Sequence, residues 1–235
     1  MNASNDELKV LSATAMKAVL TTLKPAIERA TGRTVAVANT TSGGVAKRIA
    51  GGEVADLAII AATEMSVLAE RGKIIGGSTV EVARSNIGVG VRKGAPKPDI
   101  SSTASFTQAL IAARTVAYTD PVAGGASGTY LAGLLTRLGI ADKIVTRLAA
   151  GGPDGLVGTI VARGDAEIGL HQIPELIAAG VDVVGPLPPE LQQPTAYRAG
   201  ILATARQQGA AKTLLALLTA APAIAAIRAE GMTAG

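Results

Sequence analysis

Hydrophobic positions along the chain alternate between short continuous runs and runs spaced three or four residues apart. The run Leu8 to Leu11 is typical of a buried strand, and the apolar residues that follow, from Met16 to Ile27, recur at helical spacing. Pro25 lies inside this helix and predicts that it is kinked or divided. The same order of strand, turn and helix recurs, with further strands predicted at 35–38, 57–60, 116–118, 167–170, 181–184 and 197–203. Such alternation predicts an α/β protein with mostly parallel sheets flanked by helices.

Two extended segments indicate a division into two lobes. The stretch Val80 to Val91 is long for a strand of one sheet, and the chain returns through a second extended segment, Thr195 to Ala203. We therefore expect two crossover strands that act as a hinge. The first lobe is predicted to contain 1–82 and the return segment 197–235, and the second lobe 83–196.

The composition limits the classes of partner. Hydrophobic residues make up 48% of the chain, yet Phe106 is the one phenylalanine and there is no tryptophan. A core of small aliphatic side chains suits helices packed closely on strands, and it lacks the aromatic platforms that bind single-stranded nucleic acid. The net charge of +4 comes from scattered residues. We therefore expect no nucleic-acid partner and a mild attraction for anions.

Residue counts also limit the chemistry and the location. There is no cysteine, and His171 is the single histidine, so no cofactor or metal site is expected. No apolar stretch of 18 residues predicts a membrane span. The start, Met1 to Ser4, lacks the charged and apolar regions of a signal peptide. Two locations remain open: the periplasm, if a signal was removed, or the cytoplasm.

Three predicted strand-turn-helix junctions carry hydroxyl groups. They are Ser12-Ala13-Thr14, the turn from Thr40 to Gly44, and the turn from Gly124 to Gly128. Free backbone N–H groups and the helix dipole favour an anion at such places, although a single Ser or Thr is commonly only a helix cap. None of the three has the spacing of a nucleotide-binding loop. Together they predict an anion site at the carboxyl ends of the strands.

Other polar residues near the predicted strand ends are candidates for the same site. His171 and Gln172 directly follow a predicted strand, and Arg84 interrupts an otherwise apolar crossover strand. The ordinary alternative for His171 is a structural role, and for Arg84 it is a surface ion pair. Tyr130 lies in the first turn of a predicted helix and is either a core residue with a wet hydroxyl or a ligand contact.

Several motifs in order resemble the molybdate-binding proteins of ABC importers. They are Ser12-Ala13, the segment Thr41-Ser42-Gly43-Gly44-Val45-Ala46-Lys47-Arg48-Ile49, the segment 52–57, Asp120-Pro121, Ser127-Gly128-Thr129-Tyr130, and the stretch 164–169. The resemblance runs from about residue 8 to the end. It implies a two-lobed periplasmic-binding-protein fold of type II, a monomer, and an ABC permease as a possible partner.

The resemblance also implies a ligand set without counter-charge. Ser12 and Ser42 correspond to the two serines of the family, next to Ala13 and Thr41. Ser127 lies near a third contact, beside Gly128, and Gly155 near a fourth, a backbone donor. At the fifth contact the family has a tyrosine, whereas this chain has His171 and Gln172. This departure favours a larger hydrogen-bonding ligand, such as a di- or tricarboxylate, over molybdate.

Two functions remain open at this point. The first is a solute-binding protein that closes its two lobes on a small oxyanion or carboxylate. The second is a cofactor-free isomerase, because proteins of this fold include enzymes that act on aconitate and the chain resembles a divergent branch of the family. In the second function His171 is the candidate base, since its unperturbed pKa lies near neutrality.

Overall fold

The computed structural model describes residues 7–123, 126–150 and 156–235 of the 235-residue chain. Strands and helices alternate along these ranges, and most were anticipated by the hydrophobic pattern. The strands are β1 Glu7–Ala13, β2 Thr34–Thr40, β3 Leu57–Ala61, β4 Val80–Ser85, β5 Ile87–Val91, β6 Val116–Thr119, β7 Thr146–Ala149, β8 Ile168–Gln172, β9 Asp182–Pro186, β10 Thr195–Ile201 and β11 Thr233–Ala234. The helices are α1 Lys17–Thr31, α2 Ser42–Ala50, α3 Ala62–Glu70, α4 Thr103–Ala112, α5 Ala126–Arg137, α6 Val157–Arg163, α7 Ile173–Ala178, α8 Gln208–Leu217 and α9 Ala221–Ala229.

The chain divides into two compact units. Unit 1 contains the chain up to Arg84 and returns at Ala196–Gly235, and unit 2 is Ser85–Thr195. Each unit has one sheet, with strand order β11-β4-β10-β3-β1-β2 in unit 1 and β7-β6-β8-β5-β9 in unit 2. Both sheets are mixed, because β10 and β5 run antiparallel to their neighbours β3 and β8.

The sheet of unit 1 is buried on both faces. In β3, Leu57 and Ile59 pack with α1, α8 and α9, whereas Ala58 and Ile60 pack with α2 and α3. This alternation follows from the two-residue period of a strand. It explains why all five residues of β3 are buried and why its sequence is a continuous apolar run.

The sheet of unit 2 is covered in the same way. Val116 and Tyr118 of β6 pack with α4 and α5 around Phe106, and Ala117 packs with α6 and α7 on the opposite face. Because β6 runs parallel to β7 and β8, the carboxyl ends of these three strands lie at one edge.

Three local expectations need correction. The stretch Val80–Val91 forms two strands in different sheets, β4 and β5, separated at Asn86. The segment Gly43-Gly44 lies inside α2 and not in a turn. The helix begins at Ser42, and Thr41 is its N-cap. Helix α1 continues through Pro25 without division. The buried residues Leu20, Leu23 and Ile27 hold both halves of α1 on the sheet, and this packing outweighs the lost backbone hydrogen bond.

Within the described ranges no single helix has the length and apolar composition of a membrane span. Helices α8 and α9 reach that length only when counted together, and they are bent by 64° at the break between them.

Candidate functional site

The carboxyl ends of three neighbouring strands in unit 1 carry the first group of candidate residues. β1 lies between β2 and β3 and is parallel to both, with Ser12 opposite Asn39 on one side and Ile59 on the other. Ser12 is fully buried, and its hydroxyl donates to the carbonyl of Ala13 at 3.2 Å. Ser12 and Ala13 therefore end β1 at the edge where open α/β sheets place ligands.

Helix α2 begins beside the same edge, and the two neighbouring hydroxyl groups at its start make different hydrogen bonds. The Thr41 hydroxyl caps the helix by accepting from the backbone N–H of Gly44 at 3.0 Å. The Ser42 hydroxyl is buried and accepts from the N–H of Ala61, the last residue of β3, at 3.0 Å. No described acceptor takes the Ser42 hydroxyl hydrogen, so Ser42 can donate to an anion while Thr41 holds the helix end.

Two residues near this edge were missed from the sequence. Arg198 lies in β10 opposite Ile60, and its Nε is buried with no hydrogen-bond partner among the described residues. Asn39, near the end of β2, has a buried Oδ1 that also lacks a hydrogen-bond partner among the described residues. A buried polar atom without a partner is costly, so such atoms mark places where a ligand or water completes the structure. The one sequence signal for Arg198 is a charged residue within a predicted strand.

In unit 2, strand β6 and helix α5 form the corresponding junction. Ser127, the second residue of α5, is buried, and so is Thr119 at the end of β6. A Cβ on Gly128 would lie 2.4 Å from the carbonyl oxygen of Thr119, so glycine lets the helix start approach the strand end. The predicted contact Gly155 and the glycines at 124 and 125 lie outside the described residues.

His171 and Gln172 are the last two residues of β8, which continues two residues beyond its predicted end at Leu170. Both are buried. The Gln172 amide donates through Nε2 to the Thr195 hydroxyl at 2.9 Å, and its Oε1 is buried without a partner. Extending the parallel register of Tyr118 with Leu170 by one residue places Thr119 beside His171. The Thr119 hydroxyl is also buried without a partner.

His171 contacts a carboxyl group on the next helix. Its Nδ1 lies 3.5 Å from Oε1 of Glu175 in α7, and the side chains keep 11% and 19% of their surfaces exposed. Burial raises the pKa of Glu175 above its ordinary range, and the nearby imidazole opposes part of this rise. Glu175 was not singled out from the sequence, because its distance from His171 depends on the sharp passage from β8 into α7.

Arg84 and Tyr130 make contacts of their own. Arg84 Nε forms an ion pair with Glu81 at 2.7 Å, and about half of its side chain is exposed. The Tyr130 hydroxyl donates to the carbonyl of Leu191 at 2.7 Å, and Arg137 lies over its ring at 5.5 Å. Their roles as ligand contacts stay predictions. So does the convergence of Ser127 with Ser12 and Ser42.

The described ranges contain no cluster of three or more His, Cys, Asp or Glu residues that could hold a metal ion. The candidate residues instead supply hydroxyls, amides, one imidazole and the two guanidinium groups of Arg84 and Arg198. This donor set suits hydrogen bonding to an anion.

Comparison with known proteins agrees with this geometry. The chain is 35% identical over 231 residues to an aconitate isomerase from Pseudomonas sp, covering 96% of this chain and 87% of that protein. Its fold is similar to that of the periplasmic molybdate-binding protein of Azotobacter vinelandii, with a TM-score of 0.75 at 23% identity over 96% of this chain and 98% of that one. The sulfate-binding protein SubI from Mycobacterium tuberculosis H37Rv gives a TM-score of 0.74 at 18% identity, covering 96% and 86%.

These likenesses extend over nearly the whole chain and include both units. The family model described as "Bacterial extracellular solute-binding protein" matches residues 8–233. The candidate residues Ser12, Ser42, Ser127 and His171 all lie within that match. The chain belongs to the bacterial extracellular solute-binding protein family.

Proposed function

We propose that this protein binds a small di- or tricarboxylate anion. The observation that carries the proposal is that buried donors near strand ends lack partners. They are Arg198 Nε in unit 1 and the Thr119 hydroxyl in unit 2, and a carboxylate oxygen can accept from either. The buried acceptors Asn39 Oδ1 and Gln172 Oε1 also lack partners, and a ligand hydroxyl or a water can donate to them.

Arg198 favours an anionic ligand. The guanidinium group is always charged and can bind a carboxylate through two parallel hydrogen bonds. Arg198 lies opposite Ile60, and the next peptide N–H, that of Ala61, donates to Ser42. A ligand at the end of β3 therefore meets a hydroxyl donor and a positive charge in unit 1. Unit 2 carries polar groups of its own at the end of β8, His171 and Gln172.

The family membership supports a proposal on location and partners. We propose that the protein is periplasmic, and we expect a monomer that can deliver its ligand to an ABC permease. This part of the proposal is separate from ligand binding, because a carboxylate-binding protein of this fold can also act without a permease.

Isothermal titration calorimetry tests the ligand class. We expect citrate and aconitate to bind and molybdate to bind at least about a hundredfold more weakly, a difference of about 2.7 kcal/mol. Sulfate serves as the control for a tetrahedral anion. Tight molybdate binding with no response to any carboxylate would reject the proposal.

A second function, isomerisation of an unsaturated carboxylate, is favoured by His171 and by the 35% identical aconitate isomerase. Nδ1 is buried and faces Glu175, whereas no described residue bonds Nε2, so we assign the role of the base to Nε2. In this reaction Nε2 takes a proton from the ligand's methylene carbon, and the C–H electron pair forms a new double bond as the old one opens. The imidazolium then returns the proton to the former alkene carbon, so the double bond migrates and the base is regenerated.

A time course of cis- and trans-aconitate in heavy water, followed by proton NMR, tests this function. The wild-type protein should interconvert the isomers and introduce deuterium at the methylene carbon. His171→Ala should lower turnover by about 10²–10⁴-fold and change binding by less than about tenfold. The absence of both isomerisation and deuterium uptake in the wild type would remove the isomerase and leave the binding function in place.

A further inference from the structure

We propose that Glu175 is a positioning residue for His171: it holds Nδ1, so that Nε2 is the nitrogen that accepts a proton from the ligand. This inference rests on the proposed function, since it assigns a role within the same site. Nothing in the sequence pattern or in the family resemblance points to Glu175.

The geometry gives each ring nitrogen a different environment. Nδ1 is buried and faces Oε1 of Glu175 at 3.5 Å, whereas no described residue bonds Nε2. Glu175 has no other polar side-chain contact in the described ranges. The carboxyl and the imidazole are therefore each other's available partners.

The backbone keeps this pair in place. His171 is in β8, which pairs with β5 on one side and β6 on the other, and its opposite residue in β5 is Gly88. Pro174 stands in the first turn of α7, immediately before Glu175, where its fixed φ favours the helix. A Cβ on Gly88 would lie 2.6 Å from Ile173, so the start of α7 is packed against β5, the neighbour of the strand that carries His171. Small movements of Glu175 relative to His171 are thereby restricted.

Other ionisable groups on the neighbouring elements are engaged elsewhere. Arg163 ends α6 and pairs with Asp165 at 3.2 Å. Asp120, which follows Thr119, accepts from the N–H of Val122. Asp182 at the start of β9 accepts from the N–H of Gly94, and β5 contains no ionisable residue. Among the described residues, Glu175 is thus the group that decides where the imidazole proton lies.

The protonation state of the Glu175 carboxyl determines which ring nitrogen of His171 carries the proton. When the Glu175 carboxyl is ionised, it accepts from Nδ1–H, and the Nε2 lone pair is free to act as the base. When the carboxyl is protonated, it donates to Nδ1, and the remaining ring proton stays on Nε2, which then cannot accept one. After proton transfer from the ligand, the imidazolium is stabilised by the carboxylate, as in other histidine–carboxylate couples.

Because His171 is the single histidine, ¹⁵N-histidine labelling gives the spectrum of one imidazole, and its nitrogen shifts report tautomer and protonation directly. At about pH 8.5, well above the ordinary histidine pKa, the wild-type ring should carry its proton on Nδ1. In Glu175→Gln the proton should move toward Nε2. Glu70→Gln is the control, since it removes an exposed helical carboxylate of the same type from α3 in unit 1, and it should leave the spectrum unchanged.

Two NMR results would overturn the assignment: a wild-type ring with its proton on Nε2 at this pH, or the same tautomer in Glu175→Gln as in the wild type. This measurement needs neither ligand nor turnover. Failure of the isomerase function and failure of the Glu175 assignment are therefore separate outcomes.

Where the wild type isomerises aconitate, the kinetic parameters give a second test. Partners that orient an imidazole are typically worth ten- to a hundredfold, so Glu175→Gln should lower kcat by about that factor. KM should stay within about threefold. In Glu175→Asp, which restores a carboxylate, part of the kcat measured at alkaline pH should return. A loss confined to KM, or equal losses in the Gln and Asp variants, would contradict a positioning role.

Discussion

At the scale of the residue, the end of β3 is where charge and hydrogen-bond donors occur together. Ser42 bonds the N–H of Ala61, and Arg198 lies opposite the preceding residue with a buried, unpartnered Nε. Leaving a buried guanidinium Nε without a partner costs free energy, and an anionic ligand that accepts its hydrogen bond recovers that cost. We therefore infer that Arg198 is a cationic ligand contact, which the uncharged ligand set implied by the family resemblance does not contain.

Replacing Arg198 tests whether this charge binds the ligand. Arg198→Gln should weaken citrate binding at least tenfold, or by about 1.4 kcal/mol, because a charge-assisted hydrogen bond is lost. Arg228→Gln is the matched control, since it removes an exposed arginine from α9. Calorimetry gives both affinities. Equal affinities of the two variants for citrate would show that Arg198 does not contact the ligand.

At the scale of the element, the start of α5 fits against the end of β6 through a glycine. The distance of 2.4 Å from a Cβ on Gly128 to the Thr119 carbonyl is far inside contact range, and the obstacle is backbone that cannot rotate away. The same approach brings the buried Ser127 and Thr119 to one strand–helix junction. Helix position and site geometry are thus determined by one small residue.

A pair of glycine substitutions tests this fit. Gly128→Ala should lower the free energy of unfolding by about 1–3 kcal/mol, the usual cost of overpacking, and weaken ligand binding. Gly209→Ala, in the first turn of α8 with open space around its Cβ, should leave stability unchanged or raise it by up to about 1 kcal/mol. Urea denaturation followed by circular dichroism measures both. A Gly128→Ala protein as stable as the control would contradict the close approach.

At the scale of the whole molecule, the two units have separate hydrophobic cores. The clusters around Leu214 and around Met65 draw their residues from unit 1, whereas those around Phe106 and Leu176 draw theirs from unit 2. Apolar burial is the main favourable term in folding. Each unit therefore carries its own source of stability.

Hydrogen exchange detected by mass spectrometry can show this independence. Phe106→Ala, which removes a fully buried ring, should cost about 3–5 kcal/mol and speed amide exchange in β5, β6 and β8. The strands β1 and β3 of unit 1 should keep their protection. Leu214→Ala should give the reverse pattern. Loss of protection throughout the molecule in either variant would instead show that the two units unfold together.

The sequence by itself determined the class of fold, the order of most elements and the main chemical groups of the site. Hydrophobic period is a local property, so β3 and α1 could be read directly from the positions of their apolar residues. Ser42 and His171 were identified because a hydroxyl group at a predicted helix start and a lone imidazole near a predicted strand end can be recognised from the order of residues alone. Strands β7 and β11 were not predicted, because their few residues lie at sheet edges or are largely exposed.

Only the tertiary structure decided which of these groups have partners. The sequence marks Arg198 only as a charged residue within a predicted strand. Its significance comes from a buried Nε next to the end of β3, a strand more than a hundred residues earlier in the chain. Thr41 and Ser42 are neighbours with similar side chains, yet one caps a helix and the other bonds a different strand. Glu175 meets His171 because α7 begins directly at the end of β8. Hydrogen-bond partners depend on distances across the fold, and hydrophobic periodicity carries no information about those distances.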